Sequence, residues 1–434
     1  MDPLTIGAVG MLALFGLIVL KVPIGYAMMA VGVAGFALQT KLSAAGILLA
    51  SEPSNLLASV DLATLPLFLL MGTFANAAGF SADIYAAAAS FVGHRRGGLA
   101  YATIGGCAAF GAVCGSSTAT AATFAKIALP EMIRRRYAPG FSAGAVAAGG
   151  TLKALIPPSL VMILYCIIAK TFIYDLFAAA VIPALLTIVL NLITVSVAIR
   201  LDPSAAPVDQ RVPWPERIAA LRRAIPAFIL ILAVFGGLYS GIFTVNEAAS
   251  VAAVVAFVFA LLRGRLNFSY ILEGMREAAR VTAMLYTILM GAAVFTYFIT
   301  LGRVPDALIA AVGGLALPPL VIIAAILLAY LILGTVFDEL SAMLITLPFV
   351  LPLVTALGYD PLWWGVIMVI QIELAMIHPP FGIIAFLIHG LAPSISLKEI
   401  YKGVFPYLVA DFVLMILLVA FPAIALWLPH LLAG

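Results

Sequence analysis

Two stretches of this chain repeat one another in register, and this repeat constrains the fold more than any other feature. The first, Gly115 to Tyr165, reads GSSTATAATFAKIALPEMIRRRYAPGFSAGAVAAGGTLKALIPPSLVMILY. The second, Phe337 to Leu387, reads FDELSAMLITLPFVLPLVTALGYDPLWWGVIMVIQIELAMIHPPFGIIAFL. An offset of 222 positions carries Pro130, Tyr137, Pro139, Pro157 and Pro158 onto Pro352, Tyr359, Pro361, Pro379 and Pro380. A proline fixes φ and withdraws a backbone donor, so these pairs mark matched places where a helix starts, stops or breaks. In lipid, an interrupted helix survives only where its freed backbone groups face protein, ions or water. Two such interruptions at corresponding positions of two halves point to the central binding site of a transporter.

Composition places the chain in a membrane. Apolar residues make up 65% of the 434 and charged residues 9%, with a mean hydropathy of +1.21. A soluble domain carries about a quarter charged residues. The net charge of +3 does not point to nucleic acid, because the basic residues are scattered through membrane-flanking loops. Cys107, Cys114 and Cys166 lie in apolar runs without metal-type spacing and read as core packing. The first apolar run, near 4–20, lacks a basic flank and a cleavage site and reads as a retained helix.

A spanning helix needs about 20 apolar residues. Spans are expected near 4–20, 24–40 and 62–80, followed by a re-entrant hairpin over 97–135 with its polar tip at Gly115-Ser116-Ser117-Thr118. The hairpin is flanked by basic clusters at both ends, so it begins and ends on one face. A broken helix over 140–170 and a span near 176–199 complete the first half (1–199). The proline-rich stretch 200–224 reads as a cytoplasmic linker. The second half (225–434) replays the order: spans near 225–243, 246–263 and 280–300, a hairpin over 317–357, a broken helix over 362–390 and a last span near 404–428. Segment 268–280 is amphipathic and is expected at the interface. The chain is thus predicted to be an all-α polytopic membrane protein of two inverted repeats, each of five spans plus one hairpin.

The distribution of lysine and arginine orients it. With the N-terminus outside, Lys21, Arg95, Arg96, Arg134-Arg135-Arg136, the linker arginines, Arg263, Arg265, Arg276, Arg280, Lys398 and Lys402 are cytoplasmic. Lys41, Lys170 and Arg303 fall outside, while Lys126 and Lys153 lie within membrane segments. Both termini are therefore expected outside, on the face opposite the cytoplasm.

The run GSSTATAATFAKIALPEMIRRRYAPGFSAGAVAAGGTLKALIPPS resembles the signature of the large (DctM-like) membrane subunit of tripartite ATP-independent periplasmic transporters. So do SGIFTVNEAASVAAV, FDELSAMLITLPFVLPLVTALGYDP, GVIMV before a Pro-Pro break, and the terminal FPAIALWLP. The resemblance covers essentially the whole chain. It implies a permease, not an enzyme, that works with a small four-helix (DctQ-like) membrane subunit and a periplasmic (DctP-like) solute-binding protein. It further implies uptake of an organic acid on an ion gradient by an elevator mechanism, with Na+ as the coupling ion and no other cofactor.

The candidate site follows from the two tips and the two breaks. Gly115, Ser116, Ser117 and Thr118 offer hydroxyls, carbonyls and amides, suited to a hard cation or to a carboxylate at a helix N-terminus. The bland reading is that small residues only let helices pack closely. Gly149, Gly150, Thr151, Pro157, Pro158 and Ser159 form the first break, with His378, Pro379 and Pro380 in register at the second. Gly334, Thr335, Asp338, Glu339 and Ser341 make the second tip, and an acid at membrane depth is a functional candidate by default. The resemblance places Na+ at Ser116, Ser117, Thr151 and Asp338. Glu247 reads as a helix N-terminal acid. Three residues depart from the family pattern: Lys153 replaces a glycine, Glu373 an apolar residue, and His378 a threonine. An ammonium at Lys153 can stand in for one monovalent cation, and Glu373 and His378 can add H+ dependence.

Other classes fare worse. An intramembrane hydrolase lacks HExxH and G-x-S-x-G, and His94, His378, His389 and His430 form no evident triad. Paired hairpins argue against an open channel. A stand-alone carrier of the same superfamily is the closer rival.

Overall fold

The computed structural model describes residues 2–336 and 339–433, at 335, 336, 339 and 433 by the backbone alone. Among these residues every regular element is a helix, as expected where backbone groups facing hydrocarbon must be satisfied within their own segment. In chain order the first half comprises α1 (Pro3–Val19), α2 (Ile24–Gln39), α3 (Leu42–Leu57), α4 (Thr64–Ala78), α5 (Phe80–Val92), α6 (Gly98–Gly111), α7 (Ser117–Arg134), α8 (Pro139–Thr151), α9 (Leu160–Ala169) and α10 (Ile173–Leu201). The second comprises α11 (Trp214–Tyr239), α12 (Val245–Leu262), α13 (Phe268–Leu301), α14 (Val304–Gly313), α15 (Pro319–Val336), α16 (Glu339–Ala356), α17 (Pro361–Ile377), α18 (Ile383–Leu391), α19 (Leu397–Ala420) and α20 (Ala423–Ala433).

Among the described residues seven segments are long and apolar enough to cross a membrane: Val60–Ala78, Pro139–Ala169, Ile173–Leu201, Trp214–Tyr239, Val245–Leu262, Phe268–Leu301 and Leu397–Ala420. Helices α1 and α2 occupy the expected spans 4–20 and 24–40, but have 17 and 16 residues. At about 1.5 Å per residue they fall short of a hydrocarbon core roughly 30 Å thick.

Register residues of the two halves take the same local roles. Pro130 lies inside α7 and Pro352 inside α16, while Pro139 and Pro361 open α8 and α17 at their first turn, where no donor is missed. Tyr137 stacks on Phe141 (centroids 6.3 Å apart, 28° between planes), and Tyr359 stacks on Trp363 (4.6 Å, 17°). Phe141 and Trp363 are themselves 222 positions apart. The helix pairings are also reciprocal: α2 packs on α13 and α4 on α12, while α8 packs on α19 and α17 on α10. Two crossings are close enough to exclude side chains. A Cβ on Gly291 would run into the Gly25 carbonyl at the α2–α13 crossing, and one on Gly403 into the Gly140 carbonyl where α19 meets α8.

The structure departs from the expected elements at several places. Helices α3, α5 and α14 occupy stretches without an expected element; each is shorter than a 20-residue span window, and α5 starts directly after the left-handed turn at Gly79 (φ 78°). The linker expected over 200–224 shrinks to 202–213. Helix α10 runs on to Leu201, and Trp214 and Pro215 open α11. What remains of the linker is docked: the Ala138 amide donates to Ala205 O at 2.9 Å, and Arg135 pairs with Asp209. Segment 268–280 is the start of the 34-residue α13 and runs unbroken into the span expected near 280–300; the Asn267 side chain caps it through the Tyr270 amide, and no proline interrupts it. The last span divides at Phe421-Pro422 into α19 and α20.

Candidate functional site

The tip of the first hairpin is built by a helix start. Ser116 is extended (φ −137°, ψ 131°), and its hydroxyl accepts from the Ala119 amide, so α7 begins at Ser117 with its N-terminal amides at the tip. The first break follows from Pro157 and Pro158, which cannot donate. Helix α8 gives way to a 3-10 turn at Leu152–Leu155, extended backbone leads to Ser159, and α9 starts at Leu160. Within this break the buried Lys153 ammonium donates to the Pro158 carbonyl at 2.8 Å. From the opposite side α17 brings Glu373, 4% exposed, whose Oε1 accepts from the Ser117 hydroxyl at 2.8 Å. This bond joins the first hairpin to the second half.

These groups converge on one cavity of about 660 Å3. It is lined by the tip Gly115 to Ala119 with Lys153, Ser159 and Glu373, and by residues of α4 (Thr73, Asn76) and of the N-terminal half of α13 (Tyr270, Glu277, Val281). Its volume is in the range of small-molecule sites, and its mix of an apolar lining with a few placed polar groups is what such sites share. A buried ammonium beside acceptors and hydroxyls can hold a carboxylate; the hydroxyls and break carbonyls can hold a hard cation.

The structure sorts the expected site residues. Gly115, Ser116, Ser117, Thr118, Lys153, Ser159 and Glu373 line the cavity together. Pro157 and Pro158 shape its break. Gly149 and Gly150 do not line it: a Cβ on either would press on Cys107 or Ala121, so both serve close helix packing, with the same small-residue logic as at the two crossings. Thr151 turns to a second, smaller void, its hydroxyl donating to Ala148 O at 2.8 Å. Gly334 packs on Ala375, and Ser341 is buried beside a pocket that Lys21 also lines. His378 caps the end of α17, and Pro379 and Pro380 follow it outside the cavity; the Pro380 carbonyl accepts from Tyr401. Asp338 and the side chains of Thr335 and Glu339 lie outside the described residues. Glu247 closes a capping box, accepting from the Thr244 amide and hydroxyl while its own amide donates to Thr244 Oγ1.

Sequence reasoning missed the cavity lining from α4 and α13 (Thr73, Asn76, Tyr270, Glu277), because nothing in the repeat points to α4 or to the start of α13. It also missed Asp411, 7% exposed in the middle of α19. There the signal existed: an acid inside the apolar run 404–428 is a functional candidate.

With this geometry in view, similarity is informative. A family model described as the tripartite ATP-independent periplasmic transporter, DctM component, matches residues 11–424. The chain is 34% identical over 370 residues to the C4-dicarboxylate TRAP transporter large permease protein DctM of Pseudomonas aeruginosa, covering 85% of this chain and 86% of that protein. It is 29% identical over 424 residues to the sialic acid TRAP transporter large permease protein SiaM of Vibrio cholerae, covering 96% and 97%. The crystal structure of the Alcanivorax borkumensis YdaH transporter, described as having an unusual topology, shares the fold at a TM-score of 0.57 and 15% identity, covering 90% of each chain. These relatives are named as transporter permeases, not enzymes. The chain belongs to the DctM family of large membrane permease subunits of tripartite ATP-independent periplasmic transporters.

Proposed function

We propose that this permease takes up an organic acid delivered by a periplasmic binding protein, drives uptake with a cation gradient, and moves the solute by an elevator mechanism. The observation that carries the reading is the 660 Å3 cavity, lined by the buried Lys153 and by scaffold helices α4 and α13. A solute held against α7, the first break and α17 changes sides of the membrane when that group of helices slides along the α2–α13 and α4–α12 pairs. The reciprocal packing of those pairs and the matched Tyr137–Phe141 and Tyr359–Trp363 stacks support two inverted repeats as the basis of that movement. The substrate class rests on charge: a carboxylate reaching Lys153 gains a charge-assisted hydrogen bond in a low-dielectric site. Relatives named for C4-dicarboxylate and for sialic acid are consistent with carboxylate solutes.

Lys153 also bears on the ion. Its ammonium sits on a break carbonyl, where backbone oxygens would otherwise suit sodium, so it acts as a built-in cation at one ion site. Sodium is then held by the remaining oxygens near Ser116, Ser117 and the second tip, and Glu373 can exchange a proton. Both termini face the periplasm, following the lysine and arginine bias.

The test is reconstitution. Permease in proteoliposomes with the small four-helix subunit and a loaded binding protein should show sodium-dependent uptake, while permease alone shows none. Uptake of free solute by the permease alone would favour the stand-alone carrier.

A further inference from the structure

Glu373 also lines a second void, of about 20 Å3, between α8, α10, α17 and α19. That is room for one water-sized guest. Its polar lining is Thr151, Thr187, Glu373 and Asp411, and the rest is leucine and isoleucine. Both hydroxyl protons are already committed: Thr151 donates to Ala148 O at 2.8 Å and Thr187 to Pro183 O at 2.7 Å. Their oxygens therefore present lone pairs alone, and a carboxylate presents nothing else. Asp411 is more than nine-tenths buried, and among the described residues no hydrogen-bond donor or ion-pair partner reaches it. A buried carboxylate in a spanning helix without a donor is not left as a bare charge; it takes up a proton or a cation.

The elements packed on α19 supply no such charge from another direction. Helix α8 has no titratable side chain, and α10 carries Tyr174, Asp175 and Arg200 at its ends. On α18 the His389 ring is held to Ile395 O, and His430 of α20 lines a separate pocket with Trp427. Lys153, just after α8, lies in the wall of the larger cavity, and α17 contributes Glu373 itself. Tyr407 is one turn before Asp411 on the same helix.

We infer that this void is a monovalent-cation site, separate from the solute cavity and sharing only Glu373 with it, in which Asp411, Glu373, Thr151 and Thr187 hold one sodium ion or one proton. Glu373 borders both spaces and accepts from Ser117, so the charge of the guest acts on the solute cavity through Glu373.

The experiment uses purified permease in lipid nanodiscs without solute or partners, so its outcome does not depend on the transport reading. Radiolabelled sodium binding and infrared absorption of protonated carboxyl groups are measured for wild type and Asp411→Asn. If the guest is sodium, the variant binds one ion fewer per permease. If it is a proton, sodium stoichiometry is unchanged and the variant loses a protonated-carboxyl band that wild type shows at neutral pH. Thr187→Val, which keeps the side-chain shape, serves where Asp411→Asn does not fold. Loss of one oxygen contact should weaken sodium about tenfold, or shift the carboxyl band. Unchanged stoichiometry, affinity and infrared bands in the variants overturn the inference.

Discussion

The Ser117 hydroxyl donates to Glu373 Oε1 at 2.8 Å across 256 positions of sequence, and by this bond the tip of the first hairpin is held to the broken helix of the other half. Both partners are buried, Ser117 at 4% exposure and Glu373 at 4%. The bond is charge-assisted when Glu373 is ionised and weakens when it is not, so tip position and Glu373 protonation are linked.

A double-mutant cycle of Ser117→Ala and Glu373→Gln tests that link. Each single change removes one partner of a buried bond and should lower stability by about 1–3 kcal/mol. Because the two share one interaction, the double mutant should lose less than the sum. Thermal unfolding of the four proteins measures this, with uptake assayed in parallel. Additive losses would mean that the tip and α17 are not coupled through this contact.

How much of this is legible in the sequence is seen best at three pairs of residues. Pro139 and Pro361 announced helix starts, because a missing donor and a fixed φ act locally. Lys153 and Glu373 stood out as charges in apolar runs, and both reached the cavity. Gly149 and Gly150 looked the same on paper as Gly115, since glycine permits close approach without saying whether backbone or ligand approaches; only the positions of Cys107 and Ala121 decide it. The wall from Tyr270 and Glu277 was invisible because it depends on α13 crossing α4, a long-range fact without local sequence trace.

Gly403 offers a direct check on the packing of α8 against α19. A Cβ there would run into the Gly140 carbonyl, and backbone cannot yield as a flexible side chain would. Gly403→Val should cost more than about 3 kcal/mol, at the upper end of overpacking penalties. Gly264→Ala meets no neighbouring atom but sits at φ 64°, so its cost is confined to about 1–2 kcal/mol of backbone strain. Melting temperatures of the two variants should rank in that order, and the reverse order would remove the close crossing.

The topology is checked by labelling. Ser204 and Asp306 are both exposed, and the native Cys107, Cys114 and Cys166 are all buried, so the background should be silent. An impermeant thiol reagent on intact cells should modify Asp306→Cys and spare Ser204→Cys until the membrane is opened. Modification of both from outside would contradict opposite orientations of the two halves.

Lys153 carries the sharpest prediction about coupling. Its ammonium lies in the first break, donating to Pro158 O, and it shares the cavity wall with Glu373. At an effective dielectric near 20, a unit positive charge about 4 Å from a sodium ion costs roughly 4 kcal/mol, enough to empty a nearby ion site. Lys153→Gly removes that charge and restores room around the break carbonyls. Uptake by the variant should therefore rise more steeply with sodium than uptake by wild type, and the apparent affinity for a carboxylate solute should fall, because the charge-assisted contact is gone. Lys153→Gln separates the two effects, since it keeps a donor for the Pro158 carbonyl but no charge. It should shift sodium dependence in the same direction as the glycine variant while preserving the shape of the break. Initial uptake rates against sodium concentration, at several pH values and at saturating binding protein, give the comparison. If wild type already shows the steep sodium dependence of both variants, with unchanged solute affinity, Lys153 only braces the break and takes no part in coupling.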